Sequence, residues 1–165
     1  MGATVPESAG LYFSWGNTDG HPKGGSYDFS SVNYSETSGA SLTEDIPLSN
    51  DAAHVILGGK ARIPTVEDLD ELNQNCTHEW LAINGAFGLM LTSNLNGHQI
   101  FLPAAGAISR VTPDGYNTYG SYWTSKYENE SRAYRLRFDS THFDPQNDNS
   151  RYLGFTIRPI FDPNL

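Results

Sequence analysis

A chain of 165 residues, 38% of them apolar and 12% aromatic, is long enough for one domain with its own core and too apolar to be disordered. Its formal net charge is −9, and residues 1–120 account for all of it, with 4 basic and 13 acidic side chains, whereas residues 121–165 carry 6 of each. An acidic body lacks the basic footprint that a phosphate backbone requires, so no nucleic-acid partner is expected.

Signals for membrane insertion or secretion are missing from the sequence. No apolar run approaches the roughly 20 residues that span a bilayer, so this domain is not expected to insert into a membrane. The opening MGATVPESAG has neither the basic start nor the apolar centre of a signal peptide. The single cysteine, Cys76, excludes an internal disulfide and is predicted to be a small buried apolar residue at the end of a helix.

The N-terminal part predicts one strand followed by a long surface excursion. Residues 10–17, GLYFSWGN, are typical of a short aromatic strand closed by a Gly-Asn turn. From there to about Ser41 the chain is rich in Gly, Ser, Tyr and Asn and shows no periodicity. We expect Tyr27, Phe29 and Tyr34 to hold this excursion against the body.

Two helices are predicted next. The first is a short apolar helix within residues 49–59, with Ser49 or Asn50 as its N-cap and two glycines as its stop. The clearest helix lies within residues 62–76, where Thr65 is the predicted N-cap and two acidic residues occupy the first turn. Apolar residues then recur at helical spacing on one face.

Strand signals dominate the rest of the chain. Two apolar runs around Asn96-Gly97 predict a hairpin over residues 88–106. Alternation in AYRLRF predicts that Leu136 and Phe138 point inward while Arg135 and Arg137 point outward. The remaining predicted elements are strands over 120–125, 133–138 and 154–160, a turn at 113–115, and a polar loop over 139–150. Together these elements predict a single, loop-rich α+β domain over residues 1–165 with two helices and a mostly antiparallel sheet.

Catalytic and metal-binding signals are weak. None of the five histidines lies in a nucleophile elbow, and no Gly-rich phosphate loop is present, so no catalytic residue is predicted. Asp144, Asn147, Asp148 and Asn149 supply the oxygen ligands that Ca²⁺ prefers, but they lack the spacing of an EF-hand and are also ordinary turn residues. We therefore expect no cofactor and no metal site, with calcium left open as the alternative.

Residues 121–152 have the composition of a contact surface. They include 14 residues among Asn, Asp, Ser, Thr and His, together with four Tyr and four Arg. Tyr offers contact area at low entropic cost, and Ser and Asn offer adaptable hydrogen bonds, as in antibody paratopes. An ordinary solvated strand-loop-strand would have a similar composition. The spacing of the apolar residues favours a rigid scaffold that displays a polar surface.

Several motifs carry a resemblance to a known family. They are GATVPESAGLYFSWGN, DIPLSNDAAHVILGGKARIPTVEDLDELNQNC, IFLPAAG, GSYWTS and NSRYLGFTIRPI, in that order. Together they resemble the major paralogous domain of Fibrobacter-type bacterial surface proteins. More narrowly, they are similar to the variable proteins of diversity-generating retroelements, which have the C-type lectin fold. The likeness covers nearly the whole chain, although the family usually has a further strand upstream.

The resemblance implies a C-type-lectin-like domain whose displayed residues are changed by a reverse transcriptase that miscopies adenines. Such codons yield Asn, Tyr, Ser, Asp, His, Arg, Thr, Leu and others but not Glu, Gln, Lys, Met or Trp. Lys126, Glu128, Glu130 and Gln146 would then be fixed scaffold, and Trp123 would lie in the core. The variable region would span about residues 119–153. The implied ligand-binding residues are Tyr119, Ser121, Tyr127, Asn129, Arg135, Arg137, Asp139, Thr141, His142, Asp144, Asn147, Asp148, Asn149, Tyr152 and Leu153.

The function that the resemblance implies is non-enzymatic, adhesin-like binding of a protein or glycan on a cell surface. The expected location is extracellular, on a bacterial cell surface or a phage particle. The calcium motifs of sugar-binding lectins are absent, which argues against calcium-dependent sugar binding. Two alternatives remain open. One is an enzyme of the formylglycine-generating type, which shares the fold but depends on a pair of cysteines, and the other is a purely structural surface module.

Overall fold

The computed structural model describes all residues from 1 to 165 and has the predicted α+β architecture, with few helices, mostly antiparallel sheets and no disulfide. The helices are α1 (Ser31–Ser35), α2 (Ala52–Leu57) and α3 (Val66–Asn75). The strands are β1 (Leu11–Tyr12), β2 (His21–Pro22), β3 (Ala61–Arg62), β4 (Cys76–Ile83), β5 (Ala86–Ser93), β6 (Gln99–Pro103), β7 (Ala107–Ser109), β8 (Thr112–Asp114), β9 (Gly120–Tyr127), β10 (Arg132–Phe138), β11 (Phe143–Ser150) and β12 (Ile160–Phe161). None of the helices has the length and apolar character needed to cross a membrane.

Two three-stranded sheets dominate the fold, in the orders β4–β5–β6 and β11–β10–β9. The predicted hairpin around Asn96-Gly97 is confirmed as the β5–β6 pair. Strand β4, which the sequence did not predict, joins β5 through a tight turn in which Asn84 and Gly85 both have positive φ, as Asn-Gly hairpin turns require. Because β4 is largely exposed and starts where α3 ends, it shows no clear alternation between apolar and polar residues.

The helix predictions are confirmed for α3 and need correction elsewhere. Thr65 caps α3 in a full capping box with Asp68. Helix α2 begins later than expected, and its N-cap is Asp51, not Ser49 or Asn50. A third short helix, α1, lies in the predicted surface excursion. Its formation is local, since the Ser30 hydroxyl accepts a hydrogen bond from the first turn.

Three predictions about the C-terminal half are wrong in their boundaries. Residues 112–114 form β8, and the turn lies later, at residues 116–118, directly after Gly115 with φ +66°. The predicted loop over 139–150 is reduced to residues 139–142, because residues 143–150 pair with β10 as β11. Residues 154–156 make only single bridges to three different segments and residues 157–159 make none, so the predicted strand over 154–160 is irregular and regular pairing begins at β12.

The core is divided by the β9–β10 pair. One cluster contains Trp15, Trp123 and Phe155, and a second contains Tyr122 and Leu136 with residues from α3, β5 and β6. A smaller third cluster lies around Phe29. Trp123 is 1% exposed, as expected for a core residue. Apolar burial on both sides of β9 anchors this strand firmly, which makes it a rigid support for the polar residues nearby.

Two indole hydrogen bonds tie the N-terminal strand to β9. The Trp15 indole N–H donates to the carbonyl oxygen of Thr124 at 2.9 Å, and the Trp123 indole N–H donates to the carbonyl oxygen of Phe13 at 2.7 Å. These reciprocal bonds satisfy both buried indole groups, as buried Trp requires.

Arg151 lies at the centre of the molecule, directly after β11, and is 1% exposed. Its guanidinium donates to the Tyr34 hydroxyl and to carbonyl oxygens of four other residues, which belong to two separate loops. The same group lies 4.5 Å from the centroid of the Trp15 ring. Arg151 therefore joins the surface excursion to the C-terminal sheet.

Candidate ligand-binding site

The register of β9, β10 and β11 brings polar residues together on one side of the sheet. Ser121 lies opposite Arg137, and Arg137 lies opposite Asp144. Arg135 lies opposite Asn147. Residues opposite one another in antiparallel strands point to the same side, so all five side chains share a face. With Tyr119, which contacts Arg137, we call this set the arginine face: Tyr119, Ser121, Arg135, Arg137, Asp144 and Asn147.

A bulge in β11 makes this register possible. Two steps along β10, from Arg135 to Arg137, correspond to three steps along β11, from Asn147 to Asp144. The extra residue leaves room for Pro145, which is buried and lacks the N–H that a regular ladder would use. The bulge explains why a segment with weak strand propensity still pairs with β10.

Arg135 is a buried member of the arginine face and is not displayed to solvent. It is 9% exposed, which corrects the expectation that it points outward. Its Nε donates to Asn147 Oδ1 at 3.1 Å and its Nη1 donates to Ser121 Oγ at 2.6 Å. The guanidinium carbon lies 4.8 Å from the centroid of the Phe155 ring. Burial, together with the charge of Arg137, lowers the pKa of Arg135 to about 10.

Arg137 and Tyr119 are half-buried and contact each other on the face, where Asp144 is the exposed member. The Arg137 guanidinium lies 3.9 Å from the centroid of the Tyr119 ring and 3.7 Å from an oxygen of Asp139. The Tyr119 hydroxyl donates to Asp114 at 2.6 Å. Burial and Asp114 raise the pKa of Tyr119 to about 12. Tyr119 is therefore a neutral, fixed aromatic support for the Arg137 cation.

The turn at residues 139–142 presents Thr141 and His142 to solvent. Asp139 Oδ1 accepts hydrogen bonds from the Thr141 N–H at 2.8 Å, the Thr141 hydroxyl at 2.9 Å and the His142 N–H at 3.1 Å. Of the three predicted ligand-binding residues here, Asp139 is the structural one, and the other two form the exposed tip.

The stability of the turn at residues 139–142 should depend on pH through the Asp139 carboxylate. Donation by the Thr141 backbone N–H lowers the pKa of Asp139 from its ordinary 3.8 to about 2. A lowered pKa means that the carboxylate stabilises the turn above pH 3.8 and that this contribution is lost as the pH falls through about 2. A carboxyl ¹³C titration of Asp139 should show a midpoint near 2. A midpoint at the ordinary value would contradict the hydrogen-bonded turn, and Asp139→Asn is the control that removes the signal.

Two predicted ligand-binding residues near the end of β9 are structural. Tyr127 packs with its ring centroid 6.1 Å from that of Trp15. Asn129 closes the β9–β10 turn, where its side-chain oxygen accepts the N–H groups of Ser131 and Arg132. Neither residue belongs to the arginine face.

Four more predicted residues are not members of the arginine face. Asp148 points to the other side of the sheet and pairs with Arg132. Asn149 lies opposite Ala133, on the same side of the sheet as Asn147 but at the far end of β11, and accepts a hydrogen bond from the N–H of the next residue. Tyr152 is half-buried, and Leu153 packs against the core cluster that contains Trp15.

Ser121 is placed on the arginine face but is fully buried, which contradicts its prediction as a displayed residue. Its hydroxyl orients Arg135 and cannot contact a ligand without rearrangement. Two contributors to the site, Asp114 and Phe155, were not predicted. Their roles arise from contacts between segments that are distant in sequence, and no local pattern signals them.

The oxygen ligands considered for calcium do not converge. Asp144 and Asn147 share the arginine face, where Asn147 Nδ2 donates a hydrogen bond to Asp144 Oδ2 at 3.2 Å. Asp148 lies on the opposite side with Arg132. No group of three or more His, Cys, Asp or Glu side chains in the chain has a metal-binding arrangement.

Comparisons with known proteins return no match, whether with family models, with curated proteins or with solved structures. The function of the arginine face is therefore inferred from its residues and from the sequence resemblance.

Proposed function

We propose that the chain is a non-enzymatic ligand-binding domain of C-type lectin type, similar to the variable proteins of diversity-generating retroelements. It would act as an adhesin or receptor-binding module on a bacterial cell surface or a phage particle. The observation that carries the proposal is the register of β9, β10 and β11, which brings Ser121, Arg135, Arg137, Asp144 and Asn147 to one side of the sheet, with Tyr119 in contact with Arg137.

The binding surface consists of the accessible part of the arginine face and the adjacent turn. Arg137 and Tyr119 offer a cation and aromatic area, and Asp144 and Asn147 offer adaptable hydrogen bonds. Thr141 and His142 extend the surface at the exposed tip, and both are among the ligand-binding residues that the resemblance implies. Buried residues on both sides of β9 support this surface, so exchanging the exposed side chains need not disturb the core.

A selection experiment tests the proposal without knowledge of the natural ligand. We expect a displayed library randomised at Arg137, Asp144 and His142 to remain folded and to yield binders to an arbitrary target such as lysozyme. Individual members should melt close to the parent temperature, because surface substitutions usually change stability by less than about 0.5 kcal/mol.

The matched control is a library randomised at Tyr127, Asn129 and Leu153, which pack against the core or close a turn. It should therefore lose most folded members. Equal folding in both libraries, or no binders from the first, would reject the display surface. A near-copy of the DNA encoding residues 120–160 beside a reverse transcriptase gene would independently support the retroelement assignment.

A further inference from the structure

Arg135 is a buried cation without a counterion. Its two protein partners, Ser121 and Asn147, are neutral. No carboxylate oxygen lies within 4.0 Å of a guanidinium nitrogen of Arg135, the distance that defines an ion pair. Removing a charge from water is costly unless an opposite charge compensates it. We propose that a carboxylate of a protein partner, an Asp or Glu side chain, docks on Arg135, an inference that rests on the ligand-binding role proposed above.

The guanidinium has one edge free to receive this carboxylate. Nε and Nη1 donate to protein groups, and Nη2 donates to none. The fully buried side-chain polar atoms without a partner belong to His21 and Asp28 alone, so Nη2 is not fully buried and keeps some solvent-accessible surface. An incoming carboxylate would meet the free edge at the centre of the arginine face.

The rest of the side chain is fixed in advance. Ser121 and Asn147 hold two of its nitrogens, the Phe155 ring lies beneath, and Asn147 is itself bonded to Asp144. A preorganised guanidinium loses little entropy on binding, and its planar fork matches a carboxylate.

Arg135 and the neighbouring Arg137 have different roles in attracting an anion. Arg137 lies two residues along β10 on the same face, but it is already 3.7 Å from Asp139. Arg135 is therefore the cation whose charge is unmet, and Arg137 adds a favourable field for an anion. Two carboxylates do lie at this face, Asp144 bonded to Asn147 and Asp114 bonded to Tyr119, but neither pairs with Arg135.

The face suits an acidic side chain better than an acidic sugar. A sugar ring stacks on an open aromatic face, and the face of Tyr119 is covered by the Arg137 guanidinium at 3.9 Å. Arg-to-carboxylate pairs are common anchors in protein interfaces and need no such platform.

Acetate, which mimics the end of an Asp side chain, tests the inference directly. In ¹⁵N–¹H spectra of the arginine Nε–H groups, we expect sodium acetate to shift the Arg135 signal saturably, whereas sodium chloride at equal ionic strength should not. Arg135→Gln should weaken acetate binding, followed at the Nε–H signal of the neighbouring Arg137, at least about tenfold, the size expected for losing one charged hydrogen bond. Arg132→Gln, on the opposite side of the sheet, is the matched control and should leave the affinity unchanged.

The outcomes separate this inference from the proposed function. No response of wild-type Arg135 to acetate would overturn the anion site, while the library selection would still decide whether the face binds ligands at all. N-acetylneuraminic acid binding more than tenfold tighter than acetate at the same residues would overturn the protein-partner assignment. Should Arg135→Gln fail to fold, Ser121→Ala serves instead, and an unchanged acetate affinity there would contradict the preorganised guanidinium.

Discussion

Replacing Arg151 with Ala should lower the free energy of unfolding by roughly 4 kcal/mol or more, since it creates a large cavity and strands several buried acceptors. The guanidinium is 1% exposed and is the common partner of the Tyr34 hydroxyl and four backbone carbonyls. A loss of this size is comparable to the total stability of many small domains. We therefore expect the Ala variant to express poorly or to melt far below the parent.

Urea denaturation with two further variants makes this prediction decisive. Arg151→Lys keeps the charge but not the planar fork, so it should fall between the parent and the Ala variant. Arg132→Ala removes an arginine from the same segment whose ion pair with Asp148 is partly exposed, and it should cost less than about 1 kcal/mol. If the Arg151 and Arg132 variants were equally stable, Arg151 would not be the structural hub that its contacts indicate.

Replacing Asp51 with Ala should cost about 3 kcal/mol, because it removes a helix cap and leaves a further buried N–H without a partner. The Asp51 carboxylate is 2% exposed and accepts from the N–H groups of Ala53 at 2.9 Å, His54 at 3.0 Å and Ile63 at 2.8 Å. These bonds begin α2 and attach it to the segment that leads into α3.

The comparison for Asp51 is another N-cap with a purely local role. Ser30 caps α1 through a single hydrogen bond of 3.4 Å, and Ser30→Ala should cost less than about 1 kcal/mol. Thermal melts of the two variants should therefore differ by several degrees. A smaller effect at Asp51 than at Ser30 would show that the contact with Ile63 does not matter.

The elements that the sequence predicts correctly are those with a local physical cause. The capping box of Thr65 and the Asn96-Gly97 turn each lie within a few residues, and both are found as predicted. The N-cap of α2 was predicted one or two residues too early, although Asp51 is a preferred N-cap residue and accepts from the local N–H groups of Ala53 and His54. What local patterns could not show is its third hydrogen bond, to Ile63, 12 positions away.

The site shows the same division between local and distant causes. Simple alternation placed Arg135 and Arg137 on one side of β10, and the register confirms that they share it. Alternation could not show that Arg135 is buried, because its burial results from Phe155 and from a bulge in the neighbouring strand. Strand β11 was predicted as a loop because Asn and Asp have low strand propensity, which pairing with β10 overrides.

The reciprocal indole bonds have a consequence for how the chain reaches its native state. They join Trp15 to Thr124 and Trp123 to Phe13, across separations of 109 and 110 residues. Such contacts can form only after a long segment of chain has been brought together, which slows folding. During synthesis the N-terminal aromatic residues must wait, unpaired, until β9 has left the ribosome, so the earliest compact states expose the very side chains that later become the centre of the domain.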